Sequence, residues 1–563
     1  MLVVQIRAIW GIWDRDLDGG DTASYFSYAD QWVESLAVDM AWSPLYTAYL
    51  GTANLFTDSP ATAEQAHRAF VVLAVAVLLL ALLRRLLPPW AALAGALWWA
   101  VNPIVFATKD TIHLFAAIPL LLAALLLTDE PGPWRKGAAV GVLLLSTVAV
   151  RNEAVAVLAL LIAAFAVAAW RRRAGPGEEA GSGAGVGDRP SRRLALGLGV
   201  PVVLALLVIG FLYQRADAGD TPQDSFDAKH SLNVCQAYRV NLNQREPGTV
   251  GDRDCPELMA DVFGEPSPGL LGAWLSNPGE MTEFAAWNVR LLPAGVQLAL
   301  FSSAAGDTNP GYEQATLGRW QPAVLLVAVL ALLITGALLL RRDSARWRAQ
   351  LHRQRWAWIA LAAIALGALA VIVFGQRPRP AYMFGLTAGL LAAIWLAVAV
   401  IARRLGIERW AAAGAAILPL VLLLVIPTRF GVAPTPVNNA YERLRPLINQ
   451  PADFPGDEPV LGARGWAPNL CDYLLPSEPC RGVNLGPNPD SRAGAGGLET
   501  LLDENGVTVV YVDEGGAGDP ELNGLARSDE WRRLASGRGA GGPWAILARA
   551  PQQEGPAEPA QSG

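Results

Sequence analysis

Residues 14–50 read DRDLDGGDTASYFSYADQWVESLAVDMAWSPLYTAYL, and the rest of the chain is organised around them. Asp14, Asp16, Asp18 and Asp21 surround the Gly19–Gly20 pair and run directly into an aromatic, helix-like segment, Tyr25-Phe26-Ser27-Tyr28-Ala29, which closes on Trp42-Ser43-Pro44-Leu45-Tyr46. No other segment sets carboxylates so close to apolar sequence. An acidic, glycine-bearing loop is often only a solvated turn, and Tyr25, Tyr28, Trp42 and Tyr46 suit an interfacial belt as well as stacking against sugar rings. What lies outside the stretch decides between these readings.

Outward from it the sequence is mostly membrane. Of 563 residues, 53% are hydrophobic and only 17% charged, the balance of a polytopic membrane protein rather than a chain of soluble domains. A net charge of −6 excludes the basic face that nucleic-acid binding requires. About ten runs approach the roughly 20 residues needed to cross a hydrocarbon core. They are Ala69–Leu87, Pro89–Ala107, Ile112–Thr128, Gly137–Val150, Glu153–Trp170, Leu194–Tyr213, Gln321–Leu340, Trp356–Phe374, Ala381–Ile401 and Arg409–Ile426. Gly137–Val150 is the shortest. Met1–Trp13 is apolar but too short to span; it reads as the outer end of a truncated first helix, or as a segment lying flat at the interface.

Basic residues set the orientation. Arg84 and Arg85, Arg135 and Lys136, Arg171–Arg173 with Arg189, Arg192 and Arg193, the run from Arg341 to Arg355, and Arg403, Arg404 and Arg409 fall in alternate loops. Those loops are expected in the cytoplasm. Residues 14–50, the long loop 214–320 and the tail after Pro427 are then external. All four cysteines, Cys235, Cys255, Cys471 and Cys480, fall on that same side, where disulfides persist. Proximity pairs 235 with 255 and 471 with 480, one of three possible pairings.

The soluble parts are read as follows. Residues 174–192 are a Gly/Ala/Pro-rich linker expected to be disordered. The loop 214–320 is expected to be a small irregular lid held by Cys235 and Cys255, with Phe284–Leu300 returning toward the membrane as an amphipathic or re-entrant helix. The tail 428–550 reads as a compact α/β domain: strands at Val460–Ala463, Val507–Asp513 and Pro543–Ala550, and helices at Leu498–Asn505 and around Trp531. AGAGG at Ala493–Gly497 and GRGAGG at Gly537–Gly542 read as loops, and 551–563 as a disordered end.

Ionisable groups at span ends are costly enough to be treated as candidate function. Besides the aspartate cluster, these are Lys109, Asp110 and His113; Arg151 and Glu153; and Arg377, Arg379 and Tyr382, all expected on the external side. Interfacial arginines also snorkel or close helix ends, so each group alone is ambiguous. Together they place carboxylates and cations on one face. That combination suits displacement at a sugar carbon with a lipid phosphate as leaving group: a carboxylate takes the acceptor's proton while arginine or lysine receives charge developing on phosphate oxygens. No nucleotide-binding fingerprint or metal-ligand cluster competes with this reading, and a divalent cation remains an optional cofactor.

Asp21-Thr-Ala-Ser-Tyr25-Phe26-Ser-Tyr28-Ala29 followed by Ser43-Pro44-Leu45-Tyr46, Arg151-Asn152-Glu153 opening a span, and many helices before an external C-terminal domain resemble the GT-C superfamily of polyprenyl-phosphate-sugar-dependent glycosyltransferases, which includes protein mannosyltransferases and aminoarabinose transferases. The resemblance implies a GT-C-like fold of about 10–11 membrane helices with a small extracytoplasmic α/β domain. It implies a sugar moved from a polyprenyl-phosphate donor to an envelope glycan, lipid or protein. Asp21 would be the base, with Asp18 second choice, and Lys109, Asp110, Arg151 and Glu153 would help form the phosphate or acceptor pocket. Asp21 lacks the adjacent Glu common in protein mannosyltransferases. A polysaccharide polymerase or ligase would use Arg377 and Arg379 without needing Asp21; a lipid-glycan flippase would favour charges at mid-membrane.

Overall fold

A computed structural model describes residues 1–9, 21–56, 60–102, 105, 111–174, 189–216, 222–250, 253–301, 315, 320–342, 345–425, 443–444, 459–464, 481–486, 492, 496–539 and 542–550. Asp18, Lys109, Asp110, Cys471 and Cys480 lie outside these, as do most of the expected linker and the end of the chain. The contacts divide the chain into two units: Met1–Trp13, Glu34–Tyr49 and Ala66–Val432 in one, Asp14–Val33, Leu50–Gln65 and Ala433–Gly563 in the other.

In chain order the helices up to the tail are α1 (Leu2–Ile9), α2 (Asp21–Ser35), α3 (Pro44–Asn54), α4 (Pro60–Leu86), α5 (Pro89–Val101), α6 (Thr111–Phe115), α7 (Ala117–Leu126), α8 (Pro133–Ala149), α9 (Ala154–Ala174), α10 (Arg189–Arg215), α11 (Pro222–Arg245), α12 (Cys255–Phe263), α13 (Leu270–Ser276), α14 (Pro278–Phe301), α15 (Trp320–Arg342), α16 (Ala345–Arg353), α17 (Arg355–Phe374), α18 (Phe384–Arg404) and α19 (Glu408–Val425). The chain is a polytopic α-helical membrane protein with a small α/β domain at the end of its sequence. Among the described residues eight helices are long and apolar enough to cross a membrane, in α4, α9, α10, α14, α15, α17, α18 and α19.

The runs expected from Pro89, Ile112 and Gly137 form the shorter helices α5, α6–α7 and α8. The amphipathic or re-entrant helix expected at Phe284–Leu300 lies within α14, a continuous 24-residue helix. Its charges and Pro293 interrupt the hydrophobic run, but Glu280 and Glu283 are paired with Arg245 of α11, and an internal proline is tolerated where neighbouring helices pack around it.

Small residues bring the membrane helices together, as expected where lipid offers no hydrophobic contrast. Gly137 and Gly141 of α8 meet α10 at Pro201: a Cβ at 137 would lie 2.6 Å from the Leu198 carbonyl oxygen, and one at 141 would lie 2.7 Å from that of Pro201. The core runs through α4, α5, α7, α17 and α18, with Trp99 fully buried near its centre.

The loop 222–301 is not an irregular lid but the regular helices α11–α14. Pro256 and its counterparts at the openings of α11 and α14 occupy first-turn positions, where a missing N–H costs nothing, so they start helices instead of breaking structure. Cys235 and Cys255 are disulfide-bonded with Cα atoms 5.8 Å apart. Their surroundings, including Val234, Tyr238, Leu258, Met259 and Phe284, form a separate small core.

The tail unit holds a five-stranded sheet of β1 (Val460–Ala463), β2 (Arg481–Asn484), β3 (Val509–Val512), β4 (Trp531–Gly539) and β5 (Gly542–Arg549), with helices α20 (Leu498–Glu504) and α21 (Pro520–Leu525). The order is β2-β1-β3-β5-β4. β1 runs parallel to β2 and β3, pairing Leu461 with Val509, while β5 is antiparallel to β3 and β4. β3 is buried along its whole length. The helix expected around Trp531 is instead β4: Trp531 and Leu534 share helical spacing, but cross-strand pairing with β5 supplies burial that local spacing cannot show.

Candidate functional site

The membrane unit gathers polar groups where α8 gives way to α9. The Arg151 amide turns back to the Ser146 carbonyl (2.8 Å), and Ala154 and Val155 bond to Arg151 and Asn152. The tight turn leaves Arg151, Asn152 and Glu153 projecting between two helix ends. Arg151 Nε donates to Glu153 Oε2 at 2.9 Å and its Nη2 donates to Oε1, a two-pronged pair about a quarter exposed or less on each side. Burial alone would raise the Glu153 carboxyl, but the adjacent Arg151 guanidinium holds it below its ordinary value.

Tyr382 comes to the same place from a 3-10 turn, Pro380–Tyr382, that follows α17. Its ring lies 5.7 Å from the Arg151 guanidinium and 5.3 Å, edge-on, from His113 of α6. Arg151, Arg379 and Lys229 are all near enough to bear electrostatically on His113. Asn152 meets His230 at 3.4 Å, and Lys229 lies over the Trp42 ring. Arg151, Glu153, Tyr382 and His113 line a cleft walled by Ala117, Leu120, Val157, Ile364, Ala368 and Val371. Ser146 also lines it: its hydroxyl is buried and has no hydrogen-bond partner among the described residues. The lining combines the Arg151–Glu153 pair, His113, Tyr382 and Ser146 with hydrocarbon side chains.

α6 joins this cleft to a second buried group. Tyr46 of α3 bonds His67 of α4 at 2.8 Å, Phe115 packs 5.1 Å from the Tyr46 ring, and Arg68, 1% exposed, donates to Thr111 at 3.3 Å. Thr111 and Phe115 therefore face this group while His113 faces the cleft.

Of the residues singled out from sequence, Arg151, Glu153 and Tyr382 line the cleft, Arg379 acts on its His113, Arg377 shares that loop, and Tyr46 sits one short helix away. Asp21 opens α2, and its side chain is not described; Tyr25 is buried and Tyr28 half-buried on the same helix, in the other unit. Sequence reasoning missed Arg68, Lys229 and His230. Arg68 and His67 fall just before the apolar run of α4 and read as ordinary flanking residues, while Lys229 and His230 sit in a polar helix with no periodic signal. Among the described residues no group of three or more His, Cys, Asp or Glu side chains is arranged to hold a metal ion.

Three solved structures are similar to this chain. An Archaeoglobus fulgidus oligosaccharyltransferase in its apo form is 13% identical with a TM-score of 0.45, over 99% of this chain and 74% of that one. The same enzyme in complex with zinc and sulfate gives 12% and 0.43, over 97% and 72%. ArnT from Cupriavidus metallidurans bound to undecaprenyl phosphate gives 13% and 0.37, over 98% and 99%. No protein-family model and no curated protein matches. Similarity at this level leaves the functional reading to the chain's own residues.

Proposed function

We propose that this protein is an integral-membrane glycosyltransferase that moves a sugar from a polyprenyl-phosphate donor to an acceptor on the extracytoplasmic side, an envelope glycan, lipid or protein. The observation that carries the reading is the two-part character of the cleft. A phosphate on a long hydrocarbon tail presents an anion and an apolar body together; the cleft has Arg151 in its lining, Arg379 and Lys229 close enough to act on its His113, and apolar walls from α7, α9 and α17. Arginine's planar fork suits phosphate oxygens, and the cations would take up charge as the sugar–phosphate bond breaks. The unpartnered Ser146 hydroxyl is a further donor for the same anion.

Asp21 is the base in this reading. Its carboxylate accepts the proton of the attacking hydroxyl, the acceptor oxygen bonds the anomeric carbon, and the lipid phosphate departs with the bonding electrons. Placing the site outside the cytoplasm is part of this reading, and the alternation of arginine-bearing loops over the ten expected runs supports it. The test is transfer by reconstituted protein from labelled polyprenyl-phosphate sugars to envelope extract, with Asp21→Asn alongside. Transfer by wild type, lost more than about a hundredfold in the variant while donor binding stays within about twofold, supports the assignment. Wild-type turnover by Asp21→Asn sinks the base assignment, and labelled lipid crossing the bilayer without transfer replaces the enzyme by a flippase.

A further inference from the structure

The segment that carries Arg377, Arg379 and Tyr382 reads Gly-Gln-Arg-Pro-Arg-Pro-Ala-Tyr and begins where α17 ends. A continuing helix would satisfy the Phe374 carbonyl from the amide of residue 378 and the Gln376 carbonyl from that of residue 380. Both positions are proline, which has no N–H. The prolines therefore stop the helix and leave these carbonyls without their own donors at the edge of the cleft.

Two side chains from the helices that follow the disulfide supply what is missing. Trp274 Nε1 of α13 donates to the Phe374 carbonyl at 3.3 Å. Asn288 of α14, fully buried, donates one N–H to the Gln376 carbonyl at 2.7 Å and the other to that of Val373 at 3.1 Å. Its own oxygen accepts from Asn241 of α11 at 3.2 Å, and Asn241 also bonds the Phe284 carbonyl at 3.2 Å. The backbone follows the same contact: a Cβ at Gly295 would lie 3.0 Å from the Pro378 ring, so the glycine gives Pro378 its seat. A relay of buried amides thus runs from α11, the helix of Cys235, to the loop of the cleft's arginines.

We infer that Asn288 and Trp274 are positioning residues for Arg379 and Tyr382: through the orphaned carbonyls of the Arg-Pro-Arg-Pro segment, they fix where the cleft's cations point. The inference rests on reading the cleft as the site of a lipid phosphate. Neither residue lines the cleft.

The experiment uses the full chain in lipid nanodiscs with undecaprenyl phosphate as the probe, comparing wild type, Asn288→Leu, Trp274→Phe and Arg151→Ala. Two quantities are read, amide exchange across residues 375–383 and the dissociation constant of the probe. Asn288→Leu leaves buried carbonyls unpaired and should speed exchange in 375–383 about tenfold or more and weaken the probe about tenfold, with kcat at saturating donor falling less than KM rises. Trp274→Phe keeps the ring, folds normally, and should shift both readouts the same way by a smaller factor of about two to three, since its bond is exposed. Unchanged exchange in both variants overturns the clamp. Faster exchange with wild-type affinity, while Arg151→Ala weakens the probe, overturns the positioning role. Wild-type affinity in Arg151→Ala as well overturns the lipid-phosphate reading itself.

Discussion

Arg151 and Glu153, two residues apart, meet through two guanidinium nitrogens and both carboxylate oxygens in the lining of a cleft whose other walls are largely hydrocarbon. The pair costs little to form because the helix break between α8 and α9 already projects both side chains from one turn.

Removing the carboxylate should therefore loosen Arg151. Glu153→Gln is expected to destabilise the protein by about 1–2 kcal/mol, less than a fully buried pair because both side chains retain some exposure. The Glu153 carboxyl is depressed in the folded state, so its contribution is complete above its ordinary value and is lost as pH falls through the lowered one. The difference in thermal midpoint between wild type and Glu153→Gln should stay constant from about pH 8 to pH 5 and shrink only in stronger acid. A difference that vanishes already at neutral pH contradicts this.

Arg151→Lys keeps the charge but loses the planar fork and the stacking on Tyr382. Donor affinity should fall about tenfold, read as a higher KM with a smaller change in kcat. Equal activity of the two would mean that charge alone matters at this position.

Tyr46→Phe tests the neighbouring buried group. The ring contacts to Phe115 and His67 persist, and the 2.8 Å bond to His67 is lost. With both partners buried, the expected cost is about 1–2 kcal/mol, visible as a lower thermal midpoint in detergent; Tyr46→Ala, which also empties the ring's volume, should cost more, about 3–5 kcal/mol.

In the tail unit, Asp519 pairs with Arg492 at 2.6 Å with side chains 5% and 1% exposed, and it also caps α21 by accepting from the Glu521 and Leu522 amides. Asp519→Asn preserves the cap but leaves a buried guanidinium leaning on Glu521, at a cost of about 3 kcal/mol. Burial would raise the Asp519 carboxyl, yet Arg492 and the capping amides hold it below its usual range. Wild type should thus keep its advantage in amide protection over Val509–Val512 as pH falls, losing it only below the ordinary carboxylate range.

Much of this was legible in the sequence where a single residue carries its own signal. Val460–Ala463 is a strand at the expected residues, and Arg151, Glu153 and Tyr382 stood out because charged or amphipathic groups at span ends need a reason. Asn241 and Asn288 gave no such signal: an amide inside a helix looks unremarkable until its partner, such as the Val373 carbonyl 85 residues from Asn288, is placed against it. Trp531 misled for a related reason, since only the neighbouring strand shows that its segment is extended. Pro378 and Pro380 announced that the helix ends, but not which side chains would serve the carbonyls they strand.

The disulfide between Cys235 and Cys255 has a consequence for when the site becomes whole. Closing that loop contributes about 3 kcal/mol of chain entropy to α11 and α12, and α11 carries Asn241, the amide that holds Asn288. In a reducing compartment the relay behind Arg379 and Tyr382 would lose that support. Assembly of the cleft is thereby tied to the redox state of the compartment that α11 and α12 enter, so a molecule inserted the wrong way round would carry every residue of the site and still be poorly built to use it.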